Sequence, residues 1–288
     1  MTPWIEAMRL RTLPVSVSGV LLGAALAISS GFYLTAPLLL CLLFALLAQI
    51  ASNFANEYYD FRDGLDRKGR VGPRRGVTEG DITPRDMLTA TFLTLGLACA
   101  VGLSLIYYGG WWLLPAGIVI ALGALAYSAG PYPLSRHALG EVAVLLFFGI
   151  VPVNLTYYVS TGSFSADAAL LSVTAGLMGC NVLIANNYRD VEDDAAVGKI
   201  TLAVKFGRPA TARLYLANGL IASALTVPVA LHVSILTLAA TAVYLILMLR
   251  LHSCLKAARG AALIPVLART AMSMALFSLL FLLITLFT

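Results

Sequence analysis

Long segments without any Asp, Glu, Lys or Arg constrain this chain more than any other feature. The first, residues 12–56, runs for 45 residues, and at about 1.5 Å per helical residue it can cross a hydrocarbon layer of about 30 Å twice. Hydrophobic residues make up 60% of the chain and its mean hydropathy is +0.89, well above the values of soluble domains. The chain is therefore predicted to be an integral membrane protein, embedded in a lipid bilayer.

The charge-free segments predict nine transmembrane helices. Residues 12–56 and 87–135 each hold two spans, with breaks at the turn sequence GFYLTAP and at YYGGWW, where paired Tyr and Trp suit a membrane interface. Residues 214–249 hold two more, joined near Pro228 and His232. Single spans come from residues 142–166, 168–188 and 270–288. We expect an all-α bundle in which residues 1–288 form a single domain.

The basic residues predict which way the bundle faces. If the N-terminus is cytoplasmic, all 19 Lys and Arg fall at cytoplasmic helix ends or loops, and Arg136 is expected to be one such topology anchor. This is the positive-inside pattern. It explains the net charge of +5 without a nucleic-acid partner. We expect a multi-pass protein of the inner (cytoplasmic) membrane.

Two charged clusters interrupt the apolar sequence. The first, residues 56–76 (NEYYDFRDGLDRKGRVGPRRG), gathers ten charged side chains in 21 residues, although only 11% of the chain is charged. The second, residues 186–199 (NNYRDVEDDAAVGK), follows the sixth predicted span as the first follows the second. Both begin with Asn-x-x-x-Asp. The parallel predicts an internal repeat of about four spans, with two acidic loops on the cytoplasmic face.

The acidic halves of these clusters suit a metal site. Residues four apart share one face of a helix, so each Asn–Asp pair directs two oxygen ligands the same way. Oxygen ligands favour Mg²⁺, which binds through a few carboxylates together with substrate phosphates, and the clusters contain no His or Cys for zinc. The candidate ligands are Asn56, Asp60 and Asp66 in the first cluster and Asn186, Asp190 and Asp194 in the second.

The bases that follow the acids suit an anionic substrate. Arg70, Arg75 and Lys199 can hold the outer oxygens of a diphosphate that metal ions bind from the other side. One such loop alone would more often be an ordinary solvated loop whose bases fix topology. Two loops with the same spacing at the same predicted depth favour a metal-dependent site.

The two acidic loops, after the second and sixth of nine spans, resemble those of the UbiA superfamily of intramembrane aromatic prenyltransferases. The resemblance covers nearly the whole chain. It implies that two Mg²⁺ ions bridge the acidic loops and a polyprenyl diphosphate. It also implies that the prenyl chain lies in a channel open to lipid, and that an aromatic acceptor is alkylated on carbon.

Five segments, in order, are similar to the branch of this superfamily that uses 1,4-dihydroxy-2-naphthoate and makes demethylmenaquinone. They are RLRTLPVSVSGVLLG (9–23), DRKGRVGPRRGVTEGDIT (66–83), GPYPL (130–134), LGEVAVLLFFG (139–149), and NNYRD with GKITLAV (186–204). Many superfamily members carry an acid four residues after the position of Asp60, which here is Gly64. The naphthoate branch tends to place it where Asp66 stands, and Asp63 remains an alternative.

The resemblance further implies roles for individual residues of the site. Asp60 and Asp190 are the expected catalytic acids. Glu141 and Tyr127 are candidates for orienting the acceptor, although Glu141 equally suits the N-terminal dipole of its helix. The same resemblance points to Arg9 for the naphthoate carboxylate, although a basic residue is expected before a first span in any case.

Asn186 and Asn187 open the second loop, and other branches often have Asp at the position of Asn187. Asn187 is therefore a weaker ligand candidate, placed among the substrate-binding residues together with Asn56.

Two alternatives remain. A membrane transporter can also have repeated halves with acidic motifs, but its site usually lies near the bilayer midplane, whereas the charge here is predicted at helix ends. Within the prenyltransferases, 4-hydroxybenzoate or homogentisate could be the acceptor. The sequence does not indicate the prenyl length or the oligomeric state.

Overall fold

The computed structural model describes residues 2–33, 35–69 and 72–288. Arg70, a predicted substrate-binding residue, lies outside the described residues. Apart from one isolated bridge between His137 and Ile200, the described residues form helices, turns and irregular loops. The predicted all-α class is confirmed.

Nine apolar helices dominate the described part of the chain. In order they are α1 (Leu13–Ser29), α2 (Thr35–Arg62), α3 (Pro84–Gly109), α4 (Leu113–Ala126), α5 (Gly140–Thr161), α6 (Ala166–Arg189), α7 (Leu202–Val233), α8 (Thr237–Ala257) and α9 (Ile264–Phe287). Seven of these are long and apolar enough to cross a membrane, whereas α1 and α4 are shorter, with 17 and 14 residues. Each predicted span thus has a helix, and the count of nine crossings remains a prediction.

The helices begin and end where local sequence directs. Helix α3 starts at Pro84, and the hydroxyl of Thr83 accepts a hydrogen bond from the backbone N–H of Asp86 at 3.1 Å. Ser165 caps α6 in the same way, through the N–H of Ala168 at 3.0 Å. Helix α3 stops before Gly110, whose φ of 82° only glycine adopts readily. The predicted breaks between spans are therefore explained by capping and turn residues.

Close contacts between small residues hold α5 against α6. A Cβ added at Gly149 would collide with the Cα and N of Gly176, so the two backbones touch in a way that larger side chains forbid. Within α5, residues Leu145–Ile150 form a π-helical segment, and such segments often lie at functional sites. This packing positions the N-terminal turn of α5, which carries Glu141.

The bundle has a tightly packed half and an open half. Helices α6, α7, α8 and α9 enclose the largest buried cluster, with α1 along its edge, and Tyr215, Met248 and Phe277 are fully buried there. On the other side, α1 to α5 and one face of α6 surround a cavity. The cavity opens towards the loops that contain the two charged clusters, which we call the acidic end of the bundle.

Candidate active site

The two charged clusters meet at the acidic end. Arg67 Nη2 donates a hydrogen bond to the backbone oxygen of Asp193 at 3.4 Å, across 126 residues of sequence. Beside this contact lies a small pocket, which we call the acidic pocket. It is lined by Asp60, Leu65, Asp66, Arg67, Asp193, Asp194 and Lys199. The two acidic loops therefore lie at the same end of the bundle, and the assignment of that end to the cytoplasm stays a prediction.

Lys199 joins the carboxylates of the two loops. Its Nζ lies 3.9 Å from Asp60 Oδ2 and 3.8 Å from Asp194 Oδ1. Both aspartates are buried, at 2% and 6% exposure. Burying two carboxylates is unfavourable unless cations lie close by, and Lys199 supplies one positive charge at the junction.

The donor atoms of the acidic pocket fit a hard divalent cation. They are carboxylate oxygens, and Asp60 Oδ1 is buried without accepting a hydrogen bond from the described residues. Among those residues no three His, Cys, Asp or Glu side chains converge closely enough to hold a metal alone. Mg²⁺ usually completes its shell with water and substrate phosphate oxygens, so a site with only two carboxylates still suits it.

Asp66, rather than Asp63, belongs to this pocket. The side chain of Asp66 is buried, and its Oδ2 lies 3.3 Å from Arg75 Nε. Asp63 is more exposed and pairs with Arg62 and with Arg136, whose Nη1 is 2.6 Å away. Hydrogen bonds from Arg62 and then Arg136 lower the pKa of Asp63 below its usual value.

Asn56 is held among cations and faces away from the acidic pocket. Its Oδ1 accepts hydrogen bonds from Arg9 Nη2 and, at 3.4 Å, from Arg75 Nη2. Its Nδ2 donates to Ser128 Oγ at 2.9 Å. The side chain of Asn56 thus links three loops and lines the large cavity, whereas Asp60, four residues later, lines the acidic pocket.

In the second cluster, Arg189 forms a two-point salt bridge with the neighbouring Asp190. Arg189 donates from Nε and Nη2 to the two carboxylate oxygens of Asp190, at 2.6 and 2.7 Å. Asn186 Nδ2 lies 3.5 Å from Asp190 Oδ2, so the two side chains share a helix face, while Asn186 Oδ1 accepts from Arg189 Nη2 at 2.9 Å; their role as paired oxygen ligands stays a prediction. Both members of this pair line the large cavity rather than the acidic pocket.

The large cavity has a volume of about 670 Å³ and runs deep into the bundle. On α2 both Cys41 and Asn56 line it, and their separation corresponds to about 22 Å along a helix. Its end near the charged loops is polar, and its far part is apolar. The polar end is lined by Arg9, Asn56, Arg75, Tyr127, Glu141, Asn186, Asn187, Asp190 and Lys199, and the far end by Val20, Cys41, Leu105, Leu113 and Val159.

Glu141 lies at the wall of the polar end. It is 8% exposed, and its Oε1 accepts a hydrogen bond from Asn187 Nδ2 at 3.1 Å. The Sγ of Cys180 donates to the backbone oxygen of Glu141 at 3.1 Å. Asn187 therefore positions Glu141, a contact that explains an Asn at this place. Tyr127 lines the same part of the cavity.

Arg136 takes part in the site, which the sequence did not indicate beyond its role as a topology anchor. Its Nη2 lies 3.5 Å from Asp60 Oδ1 and donates to the backbone oxygen of Ser128 at 3.2 Å. The residues that follow Arg136 form the isolated bridge to Ile200, just after the second cluster, and Ala138 N donates to Ile200 O at 2.8 Å. The sequence feature that could have indicated this role is that Arg136 stands as an isolated charge close to the GPYPL segment.

A further contact fastens the second loop to α7. Arg208 Nη2 donates to Glu192 Oε2 at 2.7 Å, and a second, shorter contact joins Nη1 to Oε1. Arg208 also stacks over the ring of Tyr188. The hydrogen bond from Arg208 lowers the pKa of Glu192 below its usual value, so the pair stays charged at neutral pH.

Comparisons with known sequences agree on one family. The sequence model of the UbiA prenyltransferase family matches residues 16–267. A Haemophilus influenzae protein named 1,4-dihydroxy-2-naphthoate octaprenyltransferase is 37% identical over 218 residues, covering 71% of this chain and 69% of the relative. A Mycobacterium tuberculosis protein of the same name is 35% identical over 277 residues, covering 96% and 94%.

Solved structures show the same fold. A UbiA homologue from Archaeoglobus fulgidus, bound to DMAPP and Mg²⁺, superposes with a TM-score of 0.66 at 20% identity, covering 97% of this chain and 99% of the homologue. The ligand-free structure of a UbiA homologue from Aeropyrum pernix K1 superposes with a TM-score of 0.70 at 13% identity, covering 92% and 94%. At these identities the likeness concerns the fold alone.

Proposed function

This chain belongs to the UbiA prenyltransferase family, and from that premise we propose that it transfers a polyprenyl group from a polyprenyl diphosphate to 1,4-dihydroxy-2-naphthoate. CO2 and diphosphate leave, and the product is demethylmenaquinol, a step of menaquinone biosynthesis. The junction of two acidic loops at the polar mouth of a long apolar cavity supports this assignment most directly. The names of the relatives support the naphthoate acceptor.

The cavity suits the two halves of the donor. The apolar far part accepts the prenyl chain, because burial of its methylene groups is favourable. The diphosphate lies at the polar end, where Arg75 and Lys199 hold its oxygens, with Arg70 as a further candidate from the sequence. Lys199 lines both the large cavity and the acidic pocket, so it can contact phosphate and carboxylate together.

The acidic residues are proposed to hold two Mg²⁺ ions. Bound Mg²⁺ would neutralise the diphosphate and make it a better leaving group. The proposed ligands are Asp60, Asp66 and Asp194 from the acidic pocket, with Asn56, Asn186 and Asp190 from the polar end of the cavity.

The protein groups support charge separation in the donor. As the bond between the allylic carbon and the diphosphate oxygen breaks, Arg75, Lys199 and Arg136 stabilise the negative charge that develops on the leaving group. The allylic cation forms next to the apolar walls of the cavity, which favour shielding it from water.

The acceptor then attacks with a ring carbon. The carbon that bears the carboxylate forms the new bond to the allylic carbon, and the bond to the carboxylate breaks to release CO2 and restore the aromatic ring. The electron-rich ring supplies the electron pair of the new bond, and the electrons of the broken ring–carboxylate bond return to the ring as CO2 leaves, so no separate strong base is required. Glu141, held by Asn187, and Tyr127 orient the ring, and Arg9 attracts the carboxylate before it leaves.

We further propose that residues 1–288 act as one domain of the inner membrane, with the acidic end facing the cytoplasm. The loops at that end contain the basic residues, as the positive-inside rule requires.

A product assay tests the proposed function. Purified protein in lipid, given a polyprenyl diphosphate, Mg²⁺ and 1,4-dihydroxy-2-naphthoate, is expected to release CO2 and form a prenylated naphthoquinol, and EDTA should stop both. Product with 4-hydroxybenzoate or homogentisate but not with the naphthoate would show a different acceptor. If no product formed with any acceptor, and the protein took up a polar solute saturably, a transporter would be favoured.

A further inference from the structure

A row of amide side chains leads from the acidic end into the cavity. Gln49, Asn53 and Asn56 are spaced four and three residues apart on α2, so they share one face of the helix, and all three line the cavity. Gln49 is the deepest, about 10 Å along the helix axis from Asn56. The row therefore brings polar groups well below the charged loops, to where the apolar part of the cavity begins.

Hydrogen bonds fix how these amides are turned. Asn53 Nδ2 donates to the backbone oxygen of Met8 at 2.9 Å, which leaves Asn53 Oδ1 as the atom that accepts from Gln49 Nε2 at 3.2 Å. Gln49 must then turn its other atom, Oε1, away from Asn53. That oxygen is buried and accepts no hydrogen bond from any residue that the structure describes.

A second buried oxygen lies on the neighbouring helix. Ser16 of α1 lines the same cavity and is 4% exposed. Its Oγ also has no hydrogen-bond partner in the described part of the chain. In contrast, Ser52, which lines the cavity one turn from Gln49, donates to the backbone oxygen of Ala124 at 3.2 Å.

The chemistry of these atoms selects their partner. A buried polar atom without a hydrogen bond is destabilising, and lipid offers no substitute partner. The amide oxygen of Gln49 can only accept, so a partner for it must carry an O–H or N–H. A prenyl chain has neither, and a diphosphate or a carboxylate offers only acceptor oxygens. Of the proposed substrates, only the aromatic acceptor has a donor, in its phenolic hydroxyls.

We propose that Gln49 and Ser16 form the hydroxyl-binding subsite for the aromatic acceptor. Gln49 Oε1 accepts a hydrogen bond from one phenolic hydroxyl, and Ser16 Oγ pairs with the same hydroxyl or with the second. The ionised carboxylate, which Gln49 Oε1 repels, turns towards Arg9 at the polar end. The subsite rests on the proposed function and explains the selectivity for the acceptor: the protein binds aromatic carboxylates that carry a ring hydroxyl.

Binding of two matched ligands tests this subsite. Calorimetry on full-length protein in nanodiscs would compare reduced 1,4-dihydroxy-2-naphthoate with 2-naphthoate, which has the same ring and carboxylate but no hydroxyl. We expect Gln49→Leu to weaken binding of the dihydroxy compound by about tenfold and to leave binding of 2-naphthoate unchanged. Ser16→Ala should give a smaller change of the same kind. Ser52→Ala, the control, should give no hydroxyl-dependent change.

The possible outcomes distinguish failure of the proposed subsite from failure of the proposed function. Equal losses for both ligands in Gln49→Leu would mean that the side chain only packs, and would overturn the subsite. The subsite would also be overturned if Gln49→Leu bound the dihydroxy compound as tightly as the wild-type protein does, while the wild-type protein makes prenylated naphthoquinol. If the wild-type protein binds neither ligand and makes no product, the proposed function fails along with it.

Discussion

Asp63 and Asp66 stand three positions apart, yet their side chains serve different partners. Asp66 is buried against Arg75 in the acidic pocket, whereas Asp63 pairs with Arg62 and Arg136 at a more exposed place. Both lie beyond the end of α2, where helical periodicity no longer dictates direction. Sequence resemblance favoured Asp66, and the geometry supports the same choice.

Substitution of these two acids gives a matched prediction. We expect Asp66→Asn to lower kcat by about 100-fold or more, because a proposed ligand of the Mg²⁺ that would neutralise the leaving diphosphate is lost. Asp63→Asn should change kcat by less than about fivefold, since exposed ion pairs contribute little. Both values come from the prenyl-transfer assay with Mg²⁺ titrated. If the two variants lost activity equally, the assignment of Asp66 to the metal site would be wrong.

At the scale of elements, the charge-free segments predicted the helices well. The breaks at GFYLTAP and YYGGWW fall between α1 and α2 and between α3 and α4, and α7 and α8 extend outward from the predicted 214–249. The π-helical segment of α5 was not predicted, because periodicity in an all-apolar segment carries no signal for it. It depends on contacts with α6 that only the folded bundle supplies.

The contact between α5 and α6 predicts a position-specific effect on stability. Gly149→Ala should destabilise the protein by about 1–3 kcal/mol, because the added methyl group meets the backbone of Gly176. Gly96→Ala is the control, since its added methyl group meets nothing within 4 Å; alanine there should be neutral or slightly stabilising. Thermal unfolding in one detergent compares the two. An equally stable Gly149→Ala variant would contradict the tight packing.

For the whole molecule, the site depends on segments far apart in sequence. Arg67 meets Asp193, Arg136 meets Asp60, and Lys199 reaches Asp60. The bundle brings the ends of α2, α4 and α6 to one side, and the basic residues of these loops are the reason to expect that side in the cytoplasm.

Single cysteines test this orientation. On a background with the four native cysteines replaced, Lys68→Cys lies at the acidic end and Ser163→Cys lies in the turn between α5 and α6. Both positions are exposed. An impermeant maleimide applied to intact cells should label Ser163→Cys, and should label Lys68→Cys only after the membrane is opened. The reverse pattern would overturn the predicted topology, and both variants should retain prenyl transfer.

By itself the sequence determined the membrane class and the helices, because charge-free length acts locally along the chain, whereas the ligand types that the Asn-x-x-x-Asp spacing indicates stay a prediction. It also determined the family, through five motifs in order. Only the tertiary structure decided which carboxylates share the acidic pocket. It also decided that Arg136 pairs with Asp60 and Arg189 with Asp190, and that Gln49 and Ser16 line one cavity. Those relations depend on how helices pack and how loops cross between them, and contacts between residues so distant in sequence leave no periodic pattern to read.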